Sequence, residues 1–119
     1  MCNDNTNFKD LIKTYDDLYT LSIVIIYNNC RCAVDCNKLD GQIMLNRLIV
    51  HNKLRKRGIA SLLMKELCEY LDKNKLDCIL GVESDGTSEM DDNLLVEFYK
   101  RYGFESTEED KYYMLRKSR

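Results

Sequence analysis

The stretch Leu48-Ile-Val-His-Asn-Lys-Leu-Arg-Lys-Arg-Gly-Ile-Ala60 changes character twice. Leu48, Ile49 and Val50 end an apolar, β-branched run that reads as a strand from Gln42 to Val50. His51 to Arg57 is polar and basic. From Gly58 onward, Ile59, Leu62, Leu63, Leu67, Tyr70 and Leu71 recur at helical spacing, which predicts an amphipathic helix ending near Asn74. A strand, a short basic loop and a glycine-opened helix therefore follow one another. The first turn of a helix carries N–H groups without intrahelical acceptors and the positive end of the dipole. A glycine there lets backbone approach an anion closely. Arg47, Lys53, Arg55, Lys56 and Arg57 add positive charge, with no acidic residue from 47 to 57. By construction the junction suits a phosphate or pyrophosphate.

Common phosphate loops do not fit. No G-x-x-x-x-G-K-[ST] and no G-x-G-x-x-G occurs. A basic loop is more simply a solvated surface or a nucleic-acid contact. The chain as a whole argues against nucleic acid: its net charge is −2 and its pI about 5.4.

Outward from the junction, elements alternate. Upstream, Leu39-Asp40-Gly41 is a turn, and the runs Leu21–Tyr27 and Cys30–Cys36 form a hairpin across Asn28-Asn29. Phe8, Leu11, Ile12, Tyr15, Leu18 and Tyr19 predict a first helix over 7–19, capped by Thr6 or Asn7. Downstream, residues 77–83 read as a strand and 84–92 as an acidic loop. Leu94, Leu95, Phe98, Tyr99 and Tyr102 read as a helix stopped at Gly103, and 104–106 with 112–117 as a last strand pair. The expected fold class is α/β, an α+β sandwich with a mixed, mostly antiparallel sheet and helices on both faces. Residues 1–119 make one domain.

Composition is that of an ordinary globular chain, 45% hydrophobic and 32% charged. The longest apolar run, Leu21–Tyr27, is too short for a membrane span. The N-terminus lacks the charged and apolar regions of a signal peptide, so a cytoplasmic location is expected. The six cysteines are then thiols. Cys30, Cys32 and Cys36 share one parity with Val34, which predicts the inner face of a strand; the one histidine, His51, stands apart, so no metal site is expected.

The spacing Arg55-x-x-Gly58-x-Ala60 resembles the [QR]-x-x-G-x-[GA] signature of the GNAT superfamily of acetyl-CoA-dependent N-acetyltransferases. Leu48-Ile49-Val50 lies where that family has its pantetheine-binding strand. Phe98-Tyr-Lys-Arg-Tyr-Gly-Phe104 resembles its L-Y-x-x-x-G-F segment, in the right order. The resemblance covers about residues 42–117 and implies a GNAT-like fold with a shortened N-terminal part. It implies that acetyl-CoA is the cosubstrate. The amides of Arg55, Lys56, Arg57, Gly58, Ile59 and Ala60 would hold the pyrophosphate, and Leu48, Ile49 and Val50 the pantetheine arm. Tyr99 matches the tyrosine that protonates the departing thiolate, though a core aromatic would show the same spacing. Glu83 is the candidate base for the incoming amine, and equally an exposed strand-end charge. Where the family often places an asparagine seven residues before the tyrosine, this chain has Asp92, with Asn93 one step late.

Acidic residues around 83–92 and 105–110 would concentrate a cationic acceptor. The short N-terminal part implies an open acceptor side, or one completed by a second subunit as a homodimer. An open groove suits a protein lysine better than a small amine. The competing reading is a GNAT-shaped module that binds acyl-CoA or a protein without catalysis.

Overall fold

A computed structural model describes residues 7–83 and 91–119. Thr6, Cys2 and the acidic Asp85 and Glu89 lie outside them. Seven strands form one sheet: β1 (Lys13–Asp16), β2 (Thr20–Tyr27), β3 (Cys30–Leu39), β4 (Gln42–Ile49), β5 (Asp77–Gly81), β6 (Glu105–Ser106) and β7 (Tyr113–Arg116). Helix α1 (Ile59–Lys73) links β4 to β5, and α2 (Asp92–Lys100) precedes β6. The strand order is β1-β2-β3-β4-β5-β7-β6. β4 and β5 pair in parallel and the other neighbours are antiparallel. This is the expected class, a mixed and mostly antiparallel α/β sheet.

Alternation decides which side of the sheet is inside. Leu21, Ile23 and Ile25 of β2 pair with Cys36, Val34 and Cys32 of β3, and all six are buried. The same face continues through Leu45, Leu80 and Met114, which are register partners across β4, β5 and β7. Against it α1 packs Ile59, Leu63, Met64, Leu67 and Leu71, and α2 packs Val96, Phe98 and Tyr99. The inward reading of Cys30, Cys32, Val34 and Cys36 is borne out.

Two expectations change. The segment 7–19 is not a helix. Asn7 accepts from the Lys9 amide at 3.1 Å and caps a short 3-10 turn, Phe8–Leu11. The chain then extends into β1 and covers the edge of β2. Asp17 reverses it, accepting from the amides of Tyr19 at 2.9 Å and Thr20 at 2.7 Å. The apolar residues that suggested one helical face are split: Phe8 is buried against Tyr27, whereas Tyr15, Leu18 and Tyr19 are 56%, 76% and 71% exposed. An open edge of β2 pairs backbone groups that a lone helix would not.

The helices are also distributed differently. Both α1 and α2 lie on the Leu45–Leu80–Met114 face, since Arg116 of β7 bonds Asp72 of α1 and the Tyr102 carbonyl after α2. Among the described residues no helix covers the other face, which carries Ser22, Val24, Ile26, Arg31, Ala33 and Asp35. No helix among them is long and apolar enough to cross a membrane.

Candidate functional site

The sheet is interrupted at one place. Asp35 pairs with Arg47 but Cys36 pairs with Leu45, so Asn46 is an extra residue in β4. The β4–β5 pairing stops at the same level, with Leu45 against Leu80. From Asn46 to Ile49, β4 keeps β3 as a neighbour and leaves β5. Leu48, Ile49 and Val50 thus border a cleft between two parallel strands, with an unpaired strand edge inside the sheet. Leu48 and Val50 pack on the core, and Ile49 pairs with Ala33 on the opposite face.

Beyond the cleft the loop is held by its own contacts. Leu54 is buried and pins it. The Arg55 Nε donates to the Val50 carbonyl at 3.2 Å, and His51 Nδ1 accepts from the Lys53 amide at 3.2 Å. Lys56 and Gly58 have φ of 65° and 78°. The left-handed conformation costs a side-chain-bearing residue about 1–2 kcal/mol, and glycine little. A Cβ on Gly58 would meet nothing within 4 Å, so conformation rather than crowding asks for glycine, and the space beside it is open. Ile59 is buried and anchors the first turn of α1. That turn has no side-chain cap and no acidic residue, and its first bond runs from the Leu62 amide to the Gly58 carbonyl at 3.1 Å. The amides of Ile59, Ala60 and Ser61 therefore lack intrahelical acceptors. Open space, unsatisfied donors and a positive dipole end coincide with Arg55, Lys56 and Arg57. These residues fit a pyrophosphate.

Tyr99 lies under the sheet. It is 6% exposed and packs edge-on to Phe98 at 5.4 Å and Phe104 at 5.7 Å. It faces Cys36 and Cys78, the inward residues of the two strands flanking β4. Burial, and then those two thiols, push its phenol up to about 12. Its hydroxyl has no hydrogen-bond partner among the described residues. Glu83 stands elsewhere, exposed two residues beyond the end of β5. The preceding residue is fixed by a 2.6 Å bond from the Val82 amide to the Tyr112 carbonyl. No hydrogen bond joins Glu83 to Tyr99. The structure thus gathers residues 48–60 into one seam, sets Tyr99 against Cys36 and Cys78 at the level where β4 still pairs with β5, and leaves Glu83 at the surface.

Asn93 is turned to the residue before β7, where its Oδ1 accepts from the Tyr112 hydroxyl at 3.1 Å, while Asp91 caps α2 through the Leu94 amide at 2.9 Å. Two features escaped sequence reasoning. The first is the bulge at Asn46, which has no local signal beyond a polar residue in an apolar strand. The second is Arg116, buried at 2% exposure; its parity with Met114 in the last strand was the available signal.

At the level of comparison, no curated protein sequence matches the chain. Solved structures similar in fold include the anti-CRISPR protein AcrVA5, with 18% identity, TM-score 0.63, and coverage of 79% of this chain and 96% of that one. PaiA N-acetyltransferase from Thermoplasma acidophilum in complex with coenzyme A is similar at 19% identity and TM-score 0.63. That match covers 84% of this chain and 62% of the longer protein. The ribosomal-protein-S18-alanine N-acetyltransferase from Escherichia coli gives 12% identity and TM-score 0.64, covering 94% and 84%. At such identities the likeness is one of fold. A family model described as an acetyltransferase (GNAT) domain matches residues 20–106. Because that match runs from β2 through β6, well over half of the sequence, the chain belongs to the GNAT acetyltransferase family.

Proposed function

We propose that the chain transfers an acetyl group from acetyl-CoA to a primary amine, with a protein lysine as the acceptor its open layout suits. The observation that carries this is the cleft where β4 leaves β5, closed at one end by left-handed Gly58 and the uncapped start of α1. A coenzyme A-bound fold neighbour supports it. The backbone from Arg55 to Ala60 binds the pyrophosphate, and the unpaired edge at Leu48–Val50 receives the extended pantetheine arm. Acetyl-CoA supplies the activated thioester.

Tyr99 acts on the leaving sulfur. Its raised phenol stays protonated at neutral pH, so the O–H is always available as a donor. A phenol at about 12 is a weaker acid than a thiol at about 8.5. It therefore steadies the developing thiolate by hydrogen bonding; as the C–N bond forms and the C–S bond breaks, the neutral amine that attacked sheds one proton and the sulfur takes one up. Before the attack Glu83, exposed beyond β5, takes the extra proton of the acceptor's ammonium form and passes it to solvent. No acyl-enzyme is involved; Cys36 and Cys78 are buried and their thiols are pushed far above the neutral range, chiefly by desolvation.

A second reading, a non-catalytic acyl-CoA binder, draws on Asn93, which is committed to Tyr112. One experiment separates the two. At about a hundredfold over Kd, acetyl-CoA stabilises a protein by about 2.7 kcal/mol, which raises Tm by about 10 °C for a domain this size. Free acetate gives no shift, and Gly58→Glu, which adds a carboxylate at the cradle, abolishes it. A shift accompanied by coenzyme A release on adding a lysine peptide supports the transferase. A shift without release supports the binder, and no shift overturns both.

A further inference from the structure

We propose that Arg116 is a positioning residue for the transfer step, tying the helix that opens at the cradle to the helix that carries Tyr99. The proposal rests on the transferase reading above. Arg116 lies on β7 and is nearly inaccessible. Its NH1 and NH2 donate to the Asp72 carboxylate of α1 at 2.9 and 3.1 Å, and its Nε donates to the Tyr102 carbonyl just after α2 at 2.7 Å. Cys68 of α1 approaches the same carbonyl with its thiol at 3.7 Å. One turn back, the Tyr99 carbonyl accepts from the amides of Tyr102 at 2.9 Å and Phe104 at 3.3 Å. A continuous hydrogen-bonded path therefore runs from α1 through a single guanidinium to the backbone of Tyr99.

The exit of α2 is shaped for this approach. Gly103 has φ of 93°, and a Cβ there would lie 2.4 Å from the Arg119 guanidinium and 3.4 Å from the Arg116 Nε. Arg119 in turn donates its amide to Asp72 Oδ1 at 2.9 Å. An apolar side chain would fill the Arg116 position without stripping water from a charge. It would not hold two helix ends in a fixed fork, which is what the planar guanidinium does. The Tyr99 side chain makes no hydrogen bond among the described residues. Its placement is thus set by packing and by the backbone that Arg116 holds.

The test is Arg116→Lys, which keeps the charge but can serve Asp72 or the Tyr102 carbonyl, not both. Small misplacements of a catalytic group are costly, so kcat falls by about tenfold while KM for acetyl-CoA stays within about twofold. The ring ¹³Cζ resonance of Tyr99 shifts at neutral pH in the same variant. A folded Arg116→Lys protein with wild-type kcat overturns the proposal. So does a loss of kcat with an unmoved Tyr99 resonance, which is what mere destabilisation gives. If Arg116→Lys does not fold, Asp72→Asn keeps the Tyr102 bond and weakens the other; kcat then falls by about threefold, and an unchanged rate overturns the proposal. If the wild type itself transfers no acetyl group, the transferase reading fails. The Tyr99 resonance in either variant still decides whether Arg116 positions it.

Discussion

The two faces of the sheet are built from the same strands and differ in almost everything else. On the inner face, Leu21, Ile23, Ile25, Cys32, Val34, Leu80 and Met114 lie under two helices, and Tyr99, the one buried tyrosine among the described residues, is there too. On the outer face the same strands carry Ser22, Arg31 and Asp35, tied to one another by a 2.8 Å hydrogen bond and a 3.1 Å ion pair. Val24 and Ala33 are buried there with no helix of the described residues above them. One side is thus held by packing and the other by short polar contacts between adjacent strands. A sheet with one helical layer can still bury a core when its outer side chains are small or paired.

The contrast can be broken most forcefully from the inside. Phe104 is 1% exposed and packs on Tyr99; Phe104→Ala costs about 4 kcal/mol in chemical denaturation, through lost burial and a cavity. Tyr99→Phe is the next largest effect and separates chemistry from packing. The ring stays, the hydroxyl goes, and turnover falls by about a hundredfold with Tm nearly unchanged, measured by coenzyme A release. An unchanged rate removes the donor role and leaves the cofactor cleft standing. The smallest effect is expected outside: Ile26 is 54% exposed, and Ile26→Ala changes stability by no more than about 0.5 kcal/mol in the same denaturation assay. A larger loss would mean that something covers the outer face.

What was legible in the sequence follows the same division. Residues 42–83 announced a strand, a basic loop, a helix and a second strand because each was locally consistent, and the structure places those elements so. Parity put Cys30, Cys32, Val34 and Cys36 inside without any knowledge of the fold. The segment 7–19 misled because aromatic and leucine residues at helical spacing can also decorate an edge strand and its turn. What decided it was non-local: the bare edge of β2 and the Asp17 turn. The same non-local logic hid the helix distribution, the bulge at Asn46 and the Asp72–Arg116 tie, whose partners are far apart in the chain. Motif order located the candidate site; spacing alone said nothing of Tyr99 burial or Glu83 exposure.

The single extra residue at Asn46 has a consequence for what the protein can associate with. A sheet normally exposes raw backbone only at its outer strands, where it invites pairing with other chains. Here the bulge opens a third such edge in the interior of the sheet, on the side of β4 that leaves β5. Where the two strands part, the backbone groups of that edge keep their hydrogen-bonding capacity. The fold forgoes a few sheet hydrogen bonds there, and the groups it releases are backbone, so no side-chain substitution along the strand removes them.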